Sequence, residues 1–218
     1  MVADVNAPPD VPPDARARLY AAAVQAFAAQ GFHATTTRDI AGAAGMSPAA
    51  LYVHHRSKEE LLHLIALGGH RRTLALCQEA VGAGGGPVRA LDRLVGDFVR
   101  HHADNPTTAR VVNYELAALT PQHRVEIEAL RSAIQTLVRD LIGDGVEAGV
   151  FATPDPMMTA AAVLSLGIDV ARWYDETGWS ADAVAEHYVG LVGRMVAAPA
   201  PAPDLTTAPP PAEERDRA

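Results

Sequence analysis

The stretch Thr35–Leu62, TTTRDIAGAAGMSPAALYVHHRSKEELL, packs three helix starts into 28 residues, and this constrains the chain more than any other feature. Thr36 is a favoured N-cap residue, and Asp39 stands three places on, where a capping-box partner belongs. Ile40 and Ala41 open a buried face. Gly45 stops that helix, because the residue just past a helix often takes a left-handed conformation that only Gly adopts cheaply. Ser47 caps the next helix, and Pro48 occupies its first position, where a missing N–H costs nothing. Leu51 points inward. Ser57 and Glu60 repeat the box ahead of Leu61, Leu62 and Ile65. Two short helices about a Gly-containing turn form a helix-turn-helix pattern.

The rest of the chain reads as helices with clear punctuation. A first helix spans about Asp14–Gln30, with Leu19, Ala23, Ala26 and Phe27 on one stripe and Gly31 as its stop. The helix-turn-helix pair is about Thr37–Ala44 and Pro48–His54, and a fourth helix runs from Ser57 to about Val81. Gly82–Pro87 (GAGGGP) reads as a flexible break. No strand precedes it and no Gly-Lys-Ser/Thr follows it, so it is a linker rather than a phosphate cradle. Asn105-Pro106, Thr120-Pro121 and Asp155-Pro156 each place a capping residue before a first-turn Pro, and each opens another helix. Ser180 caps the last, which ends near Val196. No period-two alternation occurs. The expected fold is all-α: an arm (1–13), a three-helix helix-turn-helix DNA-binding domain (14–62), a helical effector-binding and dimerisation domain (63–197), and a tail (198–218). Arm and tail are Pro-rich and read as disordered.

Charge favours the N-terminal module as the part that meets a polyanion. Residues 14–62 carry five basic and four acidic side chains, whereas residues 63–218 carry thirteen and twenty. The single Cys77 excludes an internal disulfide and fits a cytoplasmic compartment. No apolar stretch is long enough to span a membrane, so none is expected as a partner. The nine His include adjacent pairs but no H-x-x-x-H, and no C-x-x-C occurs, so neither a metal nor a cofactor is expected. No Ser/His/Asp set or other catalytic constellation can be argued, which leaves a helical small-molecule-binding protein or enzyme with a helix-turn-helix-like head as the weaker alternative.

In the DNA-binding reading, Pro48–His54 is the recognition helix. Ser47, Pro48, Ala49 and Ala50 are small enough to let the backbone approach the major groove. Tyr52 and His54 are its larger polar reach. Thr36, Thr37, Arg38 and Lys58 sit at helix starts, where N–H groups favour a phosphate. The helices around Met157–Tyr174 and Val184–Met195 are apolar enough to pair with their copies in a homodimer. Such a dimer would read double-stranded DNA at a palindromic operator.

The head resembles the TetR family of bacterial transcriptional regulators. The resemblance rests on Phe27, Gly31, Thr35-Thr36-Thr37, Ile40-Ala41, Ala44-Gly45, Ser47, Leu51-Tyr52, His54, Lys58-Glu59 and Leu61-Leu62. One departure is His55, where the family commonly has an aromatic residue. The resemblance implies an all-α homodimer whose larger C-terminal domain binds a small-molecule effector, and it implies a ligand-responsive repressor rather than an enzyme. RVVNYELAAL (Arg110–Leu119) and SLGIDVARWY (Ser165–Tyr174) resemble a branch that includes KstR-type and FadR-type regulators, some of which sense acyl-CoA thioesters. Arg110, Asn113, Tyr114, Asp169, Arg172 and Trp173 interrupt apolar helices. They are the candidate ligand residues, read either as an anion-binding pocket or as internal ion pairs.

Overall fold

The computed structural model describes residues 13–197, which are helical almost throughout. The expected arm lies outside the described residues apart from Pro13, and the expected tail lies outside them entirely. Helix α1 is Pro13–Ala34, broken at Gly31, whose φ of 79° and ψ of 163° end the first segment where the sequence places its stop. Phe32 then folds back onto Phe27, with ring centroids 5.4 Å apart. Helices α2 (Thr37–Ala43) and α3 (Pro48–His54) follow, and then α4 (Lys58–Gly82).

The caps at Thr36, Ser47, Ser57, Thr120, Asp155 and Ser180 form as their residue types require, whereas Asn105 makes no side-chain cap and donates its Nδ2 to His101 O at 3.1 Å instead. Thr36 Oγ1 accepts from Asp39 N at 3.2 Å, and Asp39 Oδ2 accepts from Thr36 N at 2.8 Å. Hydrogen bonds from the Thr36 side chain and backbone hold the Asp39 carboxyl below its ordinary range. Ser57 Oγ accepts from Glu60 N at 3.0 Å, but the Glu60 carboxylate reaches Arg56 N instead of closing a reciprocal box.

The Gly-rich segment is not a loose linker. Gly84, Gly85 and Gly86 all have positive φ, and Arg93 donates to Ala80 O at 3.2 Å and to Gly84 O, closing the turn. Helix α5 (Gly86–Asp104) therefore starts inside this segment rather than after it. Helix α6 (Pro106–Tyr114) is short, and a 3-10 turn (Leu116–Ala118) finishes the segment. The last three helices are α7 (Pro121–Glu147), α8 (Pro156–Trp173) and α9 (Ala181–Val196). A single antiparallel bridge between Phe151 and Ala197 ties the end of α9 back to the chain.

Two cores organise these helices. One gathers Leu19, Phe27, Ile40, Leu51, Leu61 and Ile65 from the head with Val111, Val112, Leu119 and Ile127 from the α6–α7 region. The other joins Cys77 and Ala80 of α4 to α5, α7, α8 and α9. Helix α4 is common to both, so the boundary expected after Leu62 falls inside one continuous helix.

Helix α8, apolar on nearly all sides by sequence, is buried on one. Ala160, Val163, Leu164, Gly167, Val170 and Ala171 face inward. The opposite stripe is open, with Met158 71% exposed and Leu166 and Trp173 also uncovered. Asp169 and Arg172 fall on that open stripe because a step of about 100° per residue places them opposite the inward set.

Candidate DNA-binding head and effector cavity

The candidate recognition helix α3, with its cap, and the start of α2 hold most of the expected DNA-facing residues. Thr36, Arg38, Ser47, Pro48, Ala49 and Tyr52 are exposed, and Thr37, Ala50 and His54 are half-buried. Tyr52 Oη lies 3.4 Å from Thr37 Oγ1, linking α3 to the start of α2. Val53 is 78% exposed and was no sequence candidate, since an apolar residue gives no polar signal. His55 takes the buried place of the aromatic residue usual in the family. Burial pushes its pKa below the ordinary histidine range, and its Nε2 has no hydrogen-bond partner among the described residues.

Lys58 is placed differently from expectation. Its Nζ donates to Phe32 O at 2.7 Å and to Thr35 O at 2.6 Å, with His33 O at 3.5 Å, and it stands 4.3 Å above the Phe32 ring. These carbonyls form the corner between α1 and α2, where helical bonding has lapsed. The ammonium is turned into the head rather than out toward a phosphate.

Polar links join the head to the controlling helices. Phe32 N donates to Glu115 Oε2 at 3.1 Å. Glu59 accepts from Thr120 N at 2.8 Å and contacts His123 Nδ1 at 2.9 Å. Burial pushes the Glu59 carboxyl up, but the hydrogen bonds from Thr120 and His123 outweigh it and leave the pKa lowered. The His63 and His123 rings stack at 3.8 Å, and His63 Nε2 meets Glu126 Oε2 at 2.9 Å. Glu126 is an acid on α7 whose residue type alone suggests a solvated face. It is instead part of this α4–α7 clamp, because His63, although charged or polar by type, faces inward.

A cavity of about 190 Å³ opens among α4, α5, α6, α7 and α8. Phe98, Val112, Ile134, Leu164 and Ile168 make its apolar wall. His70, Thr73, His102, Asn113, Arg131, Gln135 and Ser165 supply its polar groups. Of the six ligand residues expected from sequence, only Asn113 lines it. Arg110, Tyr114, Asp169, Arg172 and Trp173 are exposed outside. Arg172 pairs with Asp169 at 3.5 Å and lies over the Tyr114 ring at 5.5 Å, so the ion pair exists but on the surface. His70 and His102, which were not among the sequence candidates, are the buried histidines of the cavity wall.

A family model described as "Bacterial regulatory proteins, tetR family" matches residues 19–65, and one described as "Tetracyclin repressor-like, C-terminal domain" matches residues 84–196. The chain belongs to the TetR family. The HTH-type transcriptional repressor KstR2 of Mycobacterium tuberculosis (strain ATCC 25618 / H37Rv) is 31% identical over 191 residues, covering 81% of this chain and 90% of that protein. A solved TetR-family regulatory protein from Rhodococcus RHA1 is 41% identical, with a TM-score of 0.81, and the match covers 85% of this chain and 98% of that one. AibR, solved with isovaleryl coenzyme A and operator DNA, shares the fold at a TM-score of 0.70 and 23% identity, with 83% of this chain and 97% of that one covered. This TetR-family chain is a helix-turn-helix transcriptional regulator, not an enzyme. No helix among its described residues is long and apolar enough to cross a membrane.

Proposed function

We propose that this regulator represses transcription as a homodimer on a palindromic operator and releases it when a small acyl effector, borne on coenzyme A or free, enters the α4–α8 cavity. The observation that carries the reading is the course of α4. Its first turn holds the head through Lys58 and the start of α7 through Glu59, and its middle walls the cavity with His70 and Thr73. An effector that favours one position of α4 therefore acts on both recognition helices, needing only unequal affinity for the two states. The open stripe of α8, with Met158 and Leu166, supports pairing with a second copy. Thr36, Thr37, Arg38 and Ser47–Ala50 would approach the DNA backbone and groove, with Tyr52 and His54 reaching for base edges. Arg131, at the cavity mouth, replaces Arg110 and Arg172 as the cation for an acidic or thioester group. AibR, which shares the fold, supplies an instance of an acyl-CoA bound by such a protein.

The test is fluorescence anisotropy on the chain's own upstream DNA, titrated with acyl-CoAs and the matching free acids. Release by a member of the panel, lost in Arg131→Met and kept in Arg172→Met, is the expected result. Operator affinity indifferent to every member would overturn the effector reading.

A further inference from the structure

The polar side of the cavity has a donor and acceptor pattern that narrows what can enter. His102 is 3% exposed, and its Nδ1 is 2.8 Å from Phe98 O. His70 is likewise 3% exposed, with Nδ1 2.8 Å from Ala66 O. A carbonyl can only accept, so in both rings Nδ1 carries the proton. Burial disfavours a second proton, which leaves both Nε2 atoms as acceptors. His70 Nε2 is taken by Arg131 Nη1 at 3.3 Å, and the same nitrogen donates to Asn113 Oδ1 at 3.4 Å. His102 Nε2 has no such partner among the described residues, and its ring stands in the cavity wall.

Resting on the acyl-effector reading above, we propose that the enclosed part of the effector is a short hydroxylated acyl group, whose hydroxyl donates to His102 Nε2 while its carbonyl end meets Arg131. A plain acyl chain in the same place would bury that nitrogen without a donor, which costs the desolvation of an unpaired acceptor. An ammonium is disfavoured as the donor, since Arg131 is near and no carboxylate lines the cavity. Arg131 makes no ion pair with a carboxylate among the described residues; neutral acceptors hold it, which leaves its charge for the ligand. The cavity's 190 Å³ has room for a short acyl group.

The experiment is calorimetric titration of the full-length chain with 3-hydroxybutyryl-CoA and butyryl-CoA, which differ only by the hydroxyl, run in parallel with operator release. The native chain should bind the hydroxylated member about tenfold more tightly, the scale of one buried hydrogen bond. His102→Leu should bind both members equally and keep the native helical circular dichroism. Equal binding of the pair by the native chain overturns the hydroxyl assignment and leaves the acyl-effector reading standing. Failure of both to bind, with operator release by a longer acyl-CoA, overturns the size and hydroxyl assignments alone. Failure of every acyl compound overturns the underlying reading as well.

Discussion

Replacing Lys58 by Met separates two roles for a residue at the foot of α4. Met keeps the apolar stem on Phe32 and removes the ammonium. Two charge-assisted bonds vanish, to Phe32 O at 2.7 Å and Thr35 O at 2.6 Å, together with the cation over the Phe32 ring. Hydrogen bonds to a charged group contribute about 1.5–3 kcal/mol each. The half-buried setting places both near the low end, so the substitution should cost about 2–4 kcal/mol of stability. Urea unfolding monitored by circular dichroism reads this as a lower midpoint at unchanged slope. The salt dependence of operator binding by the folded variant should stay as in the native chain. A phosphate anchor would behave in the opposite way: stability within about 0.5 kcal/mol of native, and a log–log salt slope flatter by about one unit. That outcome would refute the inward assignment of Lys58.

Other expectations follow from the same geometry. Tyr52→Ala should weaken operator binding by about 1–3 kcal/mol, with little change in the unfolding midpoint, because the ring is exposed; native affinity in a folded variant would remove Tyr52 from the interface. In a Gly69→Ala variant the new Cβ would stand 2.5 Å from Val112 Cγ2, so stability should fall, and a double-mutant cycle with Val112→Ala should give a favourable coupling of about 1 kcal/mol or more. Additive effects in that cycle would deny the close α4–α6 approach. Burial lowers His70 and His102 from 6.5 to about 4, so as pH falls through 6.5 the unfolded chain takes up protons that the folded chain refuses. Stability is then full above the ordinary histidine range and declines down to about pH 4, with a loss of about 3–4 kcal/mol between pH 7 and pH 5 from the pair. Urea titrations at the two pH values measure it, and stability that holds or rises on acidification would contradict the neutral buried rings.

The head was legible because its signals are local. Thr36, Ser47 and Ser57 cap the helices that follow them, and Gly31 and Gly45 carry the positive φ that stops require. The candidate cavity was far less so, since it forms where five helices meet and every one of them contributes a polar residue. Charges inside an apolar helix drew attention to Asp169 and Arg172, yet helix phase turned them to the surface. Arg131 sits on an amphipathic helix among other charged residues, and only the approach of His70 and Asn113 distinguishes it. Lys58 matched the family pattern by position. Its inward turn depends on carbonyls more than twenty residues earlier in the chain, which no local rule could supply.

The central claim is that effector binding reaches the DNA through α4 by respacing the two recognition helices of a dimer. Double electron–electron resonance on a Val53→Cys variant carrying a spin label measures that spacing directly. Val53 is 78% exposed, while burial pushes the Cys77 thiol up to about 12 and shields it from labelling. With operator bound, the label separation should match half-sites about 34 Å apart or a multiple of that. Adding the acyl-CoA that releases the operator should shift the whole distribution. Release of the operator with an unchanged distribution would contradict the account.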